Sequence, residues 1–99
     1  MGYTVVMAEI EFNFVRTEGI VKGFANRRRL QILDLLDAEP ELSVDQIAQR
    51  IKMGYMNASD HVRKMTTAGL LYKRNEGPHV RHTLTPRAKV VLAFCKKLK

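Results

Sequence analysis

The chain lacks several features that would place it outside a reducing cell interior. It has one cysteine, Cys95, so it cannot form a disulfide within itself. It has no run of about 18 apolar residues, so no membrane-spanning helix is expected. Glu9 and Glu11 interrupt the basic-then-apolar order that a secretory signal would need. These absences predict a cytoplasmic protein.

The signatures of enzyme active sites are also missing. The sequence has no glycine-rich phosphate loop, no Gly-x-Ser-x-Gly and no spaced pair of histidine and carboxylate. Asp60 and His61 are neighbours, and on a helix their side chains would diverge by about 100°. His79 and His82 would lie on opposite faces of a hairpin, and Cys95 is distant in sequence, which is poor geometry for zinc. We therefore expect no enzyme, no metal and no other cofactor.

Basic residues, in contrast, are abundant and unevenly placed. The net charge is +7, and residues 1–38 contain five basic and five acidic side chains. Residues 50–99 contain twelve basic side chains against only Asp60 and Glu76. A domain with one strongly basic half has the electrostatic pattern of a protein that binds a polyanion.

Length and composition indicate one folded domain over residues 1–99, since 45% of the residues are hydrophobic. Residues 1–14 form an arm of uncertain type, because their apolar residues fit both a strand and a helix. A helical pattern begins at Val15. Asn26 is a suitable N-cap for a second helix, which should end near Glu39 because a proline follows.

The middle of the chain predicts a helix-turn-helix. Ser43 and Gln46 have the spacing of a capping box at the start of a third helix. Gly54 is expected to break that helix and form the turn. The next helix is predicted over residues 56–68, with Gly69 as its left-handed C-terminal cap.

The last third of the chain predicts a hairpin and a final helix. Residues 70–74 and 80–85 have strand character, and residues 75–78 have strong turn chemistry. Thr85 followed by proline begins a helix over residues 86–99. The order helix, helix, helix-turn-helix, hairpin, helix predicts a mainly α fold with a small β-hairpin, the winged helix-turn-helix domain.

The helix over residues 56–68 is the candidate recognition helix. Ala58, Val62 and Met65 share one face, which must pack inward. The opposite face offers side chains that can read bases in the major groove, with Asn suited to adenine, Arg to guanine and Asp to cytosine. The expected contacts with DNA are Tyr55, Met56, Asn57, Ser59, Asp60, Arg63 and Lys64. The competing interpretation is a solvated helix face.

The hairpin over residues 73–82 is the candidate wing. Lys73, Arg74, His79 and Arg81 would lie along the phosphate backbone or in the minor groove and carry little base information.

Three arginines at the start of the second helix, Arg27, Arg28 and Arg29, admit two interpretations. They would either hold phosphates or pair with acidic residues such as Asp34.

Apolar residues near both ends exceed what a core of this size needs. They predict a two-fold symmetric homodimer built from the N-terminal segment and the C-terminal helix. We expect Cys95 in the core or the interface rather than as a reactive thiol. The residues concerned are Ile10, Phe12, Phe14, Ile20, Phe24, Val91, Leu92, Cys95 and Leu98.

The stretches FANRRRLQILDLL, LSVDQIAQRI, SDHVRKMTTAGLLYKR and HTLTPRAK together resemble the ArsR/SmtB-type winged-helix repressors. The segment LTPRAK also resembles MarR-type regulators. The resemblance spans residues 20–88 and implies a homodimer that represses transcription from a palindromic operator. Ser59 and His61 match a Ser-x-His of that family, which implies that Ser59 contacts DNA. His61, at the edge of the buried face, is expected to be structural.

The family's metal sites do not carry over. Arsenic-type sensors have two cysteines where this chain has Ser43 and Asp45, and zinc-type sensors use His and carboxylates in the last helix. Residues 86–99 contain neither. The sequence therefore identifies no effector.

The function predicted from the sequence is a sequence-specific regulator of transcription that binds double-stranded DNA, a dimeric repressor. The alternative is a winged helix that contacts protein or RNA. An RNA binder would display more stacking aromatics than Tyr55 and Tyr72. Steep salt dependence of duplex binding would separate the two.

Overall fold

The computed structural model describes residues 12–98, which form five helices and one antiparallel hairpin. The predicted winged helix-turn-helix fold is confirmed. Most of the predicted N-terminal arm lies outside the described residues, and Phe14 already begins the first helix. The elements are α1 (Phe14–Phe24), α2 (Arg27–Ala38), α3 (Val44–Ile51), α4 (Tyr55–Thr67), β1 (Leu71–Glu76), β2 (His79–Leu84) and α5 (Pro86–Lys96).

The predicted helix caps are present. The Asn26 side chain accepts hydrogen bonds from the first backbone N–H groups of α2, which have no partner inside the helix. Ser43 and Gln46 exchange side-chain and backbone hydrogen bonds of 3.2 and 2.9 Å, a complete capping box. Thr85 caps α5 and Pro86 occupies its first turn. These local signals place the helix starts.

The turn between α3 and α4 differs from its prediction. Lys52 adopts the left-handed conformation with φ of 64°, and its N–H donates to the Ala48 carbonyl to end α3. Gly54 has φ of −66° and is the N-cap of α4. The prediction that Gly54 breaks α3 is therefore wrong, because a lysine takes the strained position. Helix α4 then begins at Tyr55, one residue earlier than predicted.

The hairpin is longer and its turn tighter than the sequence indicated. The register pairs Leu71 with Leu84 and Glu76 with His79, so only Gly77 and Pro78 lie between the strands. Gly77 has φ of 60°, which favours glycine. The predicted four-residue turn over 75–78 is wrong, because its first two residues continue the β1 ladder.

The core contains residues from the helix-turn-helix, the hairpin and the C-terminal helix. Val62 and Met65 of α4 are buried, as predicted, against Leu33 and Leu36 of α2. Backbone hydrogen bonds of 2.9 Å attach the Glu41–Leu42 segment to β2 at His82. The remaining buried apolar residues are Ile32, Leu42, Ile47, Ala48, Ala58, Leu70, Leu71, Leu84, Ala88 and Leu92. An isolated β-bridge between Leu42 and His82 thus ties the wing to the helix-turn-helix.

In the C-terminal helix, some of the apolar residues expected at the dimer interface belong to the core. Ala88 and Leu92 belong to the core, whereas Val90 and Phe94 are 71% and 59% exposed. Leu98 lies beyond the end of α5 and is also exposed. Leu92 is therefore a core residue and half-buried Val91 packs against that core, so the exposed apolar surface of α5 comes from Val90 and Phe94, which the sequence did not single out. Within residues 12–98, no helix is long and apolar enough to cross a membrane.

Buried His82 gives the fold a predicted pH dependence. Its Nδ1 lies 3.0 Å from the Leu42 carbonyl oxygen, and burial of the ring lowers its pKa below the ordinary value. As the pH falls, the His82 ring therefore takes up a proton more readily in the unfolded chain than in the folded one. We expect the free energy of unfolding to be highest above about pH 6.5 and to fall as the pH drops below it.

Urea unfolding at pH 7.5 and pH 5 measures this effect, with two substitutions as comparisons. His82→Asn keeps a donor near the Nδ1 position without a titrating ring, so its stability should change less between the two pH values. His79→Asn, at an exposed site, should retain the wild-type difference. Equal pH dependence in wild type and His82→Asn would contradict the assignment.

Candidate nucleic-acid interface

Helix α4 presents a broad exposed face because its apolar stripe is fixed in the core. Met56 is 78% exposed and Tyr55 53% exposed, both in the first turn of the helix. Asn57 beside them is exposed, and Arg63 is exposed one turn and a half further on. Four of the predicted recognition residues, Tyr55, Met56, Asn57 and Arg63, are therefore on the protein surface.

One carboxylate organises the cations of this face. Asp60 forms a salt bridge with Arg63 one turn ahead, and its other oxygen lies 3.2 Å from the Lys64 ammonium. The hydrogen bond from Lys64 and the charge of both neighbours hold the pKa of Asp60 below its ordinary value. Asp60 is therefore ionised near neutral pH, where it can accept a hydrogen bond and orient the Arg63 guanidinium.

A groove of about 880 Å³ separates α4 from the wing. The structure brings six of the predicted contacts together around it, three from each side. These are Tyr55, Ser59 and Arg63 of α4 and Lys73, His79 and Arg81 of the hairpin. The other five predicted contacts, Met56, Asn57, Asp60, Lys64 and Arg74, lie outside this groove.

The two wing arginines form salt bridges with carboxylates. Arg74 forms salt bridges with Glu41 and Glu76, and the Arg81 Nε donates to Glu76 at 2.7 Å. The hydrogen bond that Arg74 donates to Glu41 raises the pKa of Arg74, and the one that Arg81 donates to Glu76 lowers the pKa of Glu76. Lys73 has no salt bridge within the described part of the chain. It is thus the wing cation most available to phosphate.

Two of the three arginines at the start of α2, Arg28 and Arg29, donate hydrogen bonds to groups within the protein. Arg29 donates from Nη1 to the Lys22 carbonyl at 2.7 Å and from Nε to His61 Nδ1 at 3.0 Å. Asp34 pairs with Lys96 of α5 at 3.2 Å, and none of these arginines reaches it. The interpretation that they pair with Asp34 is therefore wrong.

His61 links the recognition helix to α2 in its neutral form. Because Nδ1 accepts the hydrogen bond from Arg29, a proton there would oppose the guanidinium. Partial burial, together with the charge of Arg29, lowers the pKa of His61. This contact agrees with the structural role expected of His61.

A second groove, of about 490 Å³, lies on the other side of α4 and was not predicted. It brings Arg16 and Lys22 of α1 and Arg87 of α5 beside Arg63 and Lys64. No local motif marks these three residues, because only the packing of α1 and α5 against α4 makes them neighbours.

Metal ligands do not cluster in this domain. Among residues 12–98, no group of three or more His, Cys, Asp or Glu side chains is placed to hold an ion. His82 faces the interior while His79 is exposed, as their spacing predicted. Cys95 is half-buried.

A helix-turn-helix whose second helix is exposed beside a basic hairpin defines a winged-helix DNA-binding domain. Comparison with known proteins agrees. A family model described as winged helix-turn-helix DNA-binding matches residues 26–72. The transcriptional activator HlyU of Vibrio cholerae is 33% identical over 84 residues, covering 85% of this chain and 77% of HlyU. The chain belongs to the winged helix-turn-helix family of DNA-binding transcriptional regulators, and is a regulator rather than an enzyme.

Solved structures give the same result. The homodimeric DNA-binding domain of Mb0332 from Mycobacterium bovis, a possible ArsR-family regulator, superposes with a TM-score of 0.75 at 31% identity. The match covers 84% of this chain and 77% of that one. The HlyU structure gives 0.73 at 30% identity, covering 85% and 91%. The resemblance to ArsR-type regulators is confirmed.

Proposed function

We propose that this protein binds a specific double-stranded DNA operator as a homodimer, in the cytoplasm, and represses transcription there. The observation that carries the proposal is the exposed face of α4, where Met56, Asn57 and Arg63 stand beside the ionised Asp60. Such a helix fits the major groove, and its first turn would reach the base edges.

The proposed contacts divide by what they would read. Tyr55, Met56, Asn57, Ser59 and Asp60 would meet base edges, together with Arg63, whose guanidinium can pair with guanine. Lys64 and the wing residues Lys73, Arg74, His79 and Arg81 would meet phosphates. Arg74 and Arg81 would have to exchange a carboxylate partner for phosphate, which reduces their net contribution.

Dimerisation is supported by apolar surface that the core leaves uncovered. On α1, Val15 and Phe14 are exposed, with the Phe14 ring 4.8 Å from that of Phe12. On α5, Val90 and Phe94 are exposed. Large apolar side chains exposed on two helices are typical of an interaction site. The Mb0332 domain is a homodimer, and a second copy of this chain is the occupant we propose.

The direction of regulation that we propose differs from that of HlyU, which is named an activator. We propose repression because a dimer seated on an operator blocks access of other proteins to that DNA. A reporter placed behind the bound operator decides this: expression should rise when the gene is deleted.

Fluorescence anisotropy tests DNA recognition directly. Wild-type protein should bind the duplex upstream of its own gene more tightly than a shuffled duplex, and the preference should survive higher salt. Arg63→Ala should weaken operator binding by about 1–3 kcal/mol and relax the preference at one base pair. Lys73→Ala, the matched control, should weaken both duplexes alike.

Two outcomes would contradict the proposal. Equal and salt-labile binding to both duplexes would leave only nonspecific DNA affinity. No binding at low salt would favour the alternative of a protein or RNA partner. If Arg63→Ala weakens both duplexes equally, Arg63 is a phosphate contact instead.

A further inference from the structure

The groove between α1 and the second half of α4 is more basic than the groove between α4 and the wing. Six basic side chains line it, and no acidic residue does. They come from four separate helices: Arg16, Lys22, Arg29, Arg63, Lys64 and Arg87. Such convergence of like charges costs free energy, which the neighbouring carboxylates of Asp60 and Glu18 offset only in part.

Two of these guanidinium groups are held in place by backbone carbonyls. The Arg87 Nη1 donates to the Ala68 carbonyl at 2.9 Å, at the C-terminus of α4, and Arg29 is anchored on Lys22. Gly69 leaves room for this arrangement, since a Cβ there would lie 2.4 Å from the Arg87 Nη1. A guanidinium has five N–H donors, so Arg87 keeps donors beyond its anchor.

The position of the groove identifies the anion. It runs along one flank of α4, the groove facing the wing runs along the other, and Arg63 lines both. An α-helix is about 10–12 Å across and a major groove about 12 Å wide, so both phosphate backbones pass close beside a bound recognition helix. One backbone would meet the wing side and the other the α1 side.

We propose that this basic groove is a second phosphate-binding site, which takes the DNA backbone on the flank of α4 opposite the wing. The inference rests on the proposed function and deepens it by naming contacts outside the recognition helix and the wing. Arg16 and Lys22 are the side chains of this groove that would bind phosphate most readily. Lys22 pairs only with exposed Glu18 at 3.2 Å, and Arg16 has no salt bridge within residues 12–98.

The salt dependence of duplex binding tests the proposal. The double variant Arg16→Gln/Lys22→Gln removes two phosphate contacts per protomer, so the slope of log K against log salt should fall by about 2 per protomer. At 0.15 M salt this corresponds to roughly fivefold per contact, or about thirtyfold per protomer. Operator and shuffled duplexes should lose affinity alike, because phosphates carry no base identity.

Lys89→Gln/Lys97→Gln is the matched control, since it removes the same charge from exposed sites outside the groove. Its salt slope should stay at the wild-type value. All substituted side chains are exposed, so thermal unfolding should show unchanged stability. If the two double variants give the same slope, the groove does not bind DNA and the proposal is overturned. Failure of wild-type protein to bind any duplex would instead overturn the proposed function.

A free phosphate compound is the other source of the same chemistry. Calorimetric titration of wild-type protein with sodium pyrophosphate, without DNA, provides that comparison. Weak or absent binding agrees with a backbone site. Saturable binding that the groove variant loses, combined with an unchanged salt slope on DNA, would reassign the groove to a free ligand and overturn the DNA backbone as its occupant.

Discussion

Replacing Phe94 by Asp should convert the protein to a monomer and weaken operator binding by at least about a hundredfold. Phe94 lies on α5 with 59% of its surface exposed, next to exposed Val90. An aspartate at the centre of a dimer interface would face a desolvation cost without a partner. Once the protomers separate, the second recognition helix no longer binds at the high effective concentration that the dimer provides, which is worth roughly 10²- to 10⁴-fold.

Sedimentation and anisotropy measure the two consequences separately. Phe94→Asp should sediment as a monomer with wild-type helix content, since the side chain is outside the core. Phe94→Leu keeps an apolar side chain and should remain a dimer. A duplex with one half-site should bind wild type and Phe94→Asp with similar affinity. A wild-type monomer at micromolar concentration with and without DNA, or a Phe94→Asp dimer, would contradict the proposed interface.

The features that the sequence predicted correctly are those set by neighbours along the chain. Asn26, Ser43 and Thr85 cap helices through residues two or three positions away, so the signal is local. Gly69, with φ of 76°, adopts the left-handed conformation just after the C-terminus of α4, which is also a local signal. The inward stripe of α4 also follows directly from helical periodicity.

The features that it missed depend on distant partners or on degenerate patterns. Arg74 and Glu41 are 33 residues apart and meet only because the Glu41 segment pairs with β2. Lys52 ends α3 in the left-handed conformation, and a lysine in the sequence does not predict that conformation. In α5, a second side carries the exposed apolar residues Val90 and Phe94, which the sequence did not single out.

The candidate site shows the same division. The α4 face could be predicted because one helix carries it. The basic groove could not, because Arg16 and Arg87 are 71 positions apart in the sequence and become neighbours only through packing. Likewise, the sequence places Arg74 on a hairpin strand but does not show that it forms salt bridges with two glutamates.

Two glycines in α1 should respond to alanine with opposite signs. A Cβ at Gly23 would lie 2.4 Å from the Ala68 Cβ, so Gly23→Ala must push α1 away from α4. Overpacking of this kind costs about 1–3 kcal/mol, which exceeds the gain of roughly 1 kcal/mol in helix propensity. At Gly19 a Cβ meets nothing within 4 Å, so Gly19→Ala should stabilise the protein by about 0.5–1 kcal/mol.

Urea unfolding of the two single variants measures these signs, and a third variant tests the cause. Gly23→Ala combined with Ala68→Gly removes the clashing methyl group and should recover more stability than the single effects add up to. Since Gly23 also lines the basic groove, displacement of α1 should carry Arg16 and Lys22 away from the DNA. The Gly23→Ala protein should therefore show a shallower salt slope as well as lower stability. If Gly23→Ala stabilises the fold as Gly19→Ala does, the close approach of α1 to Ala68 is wrong.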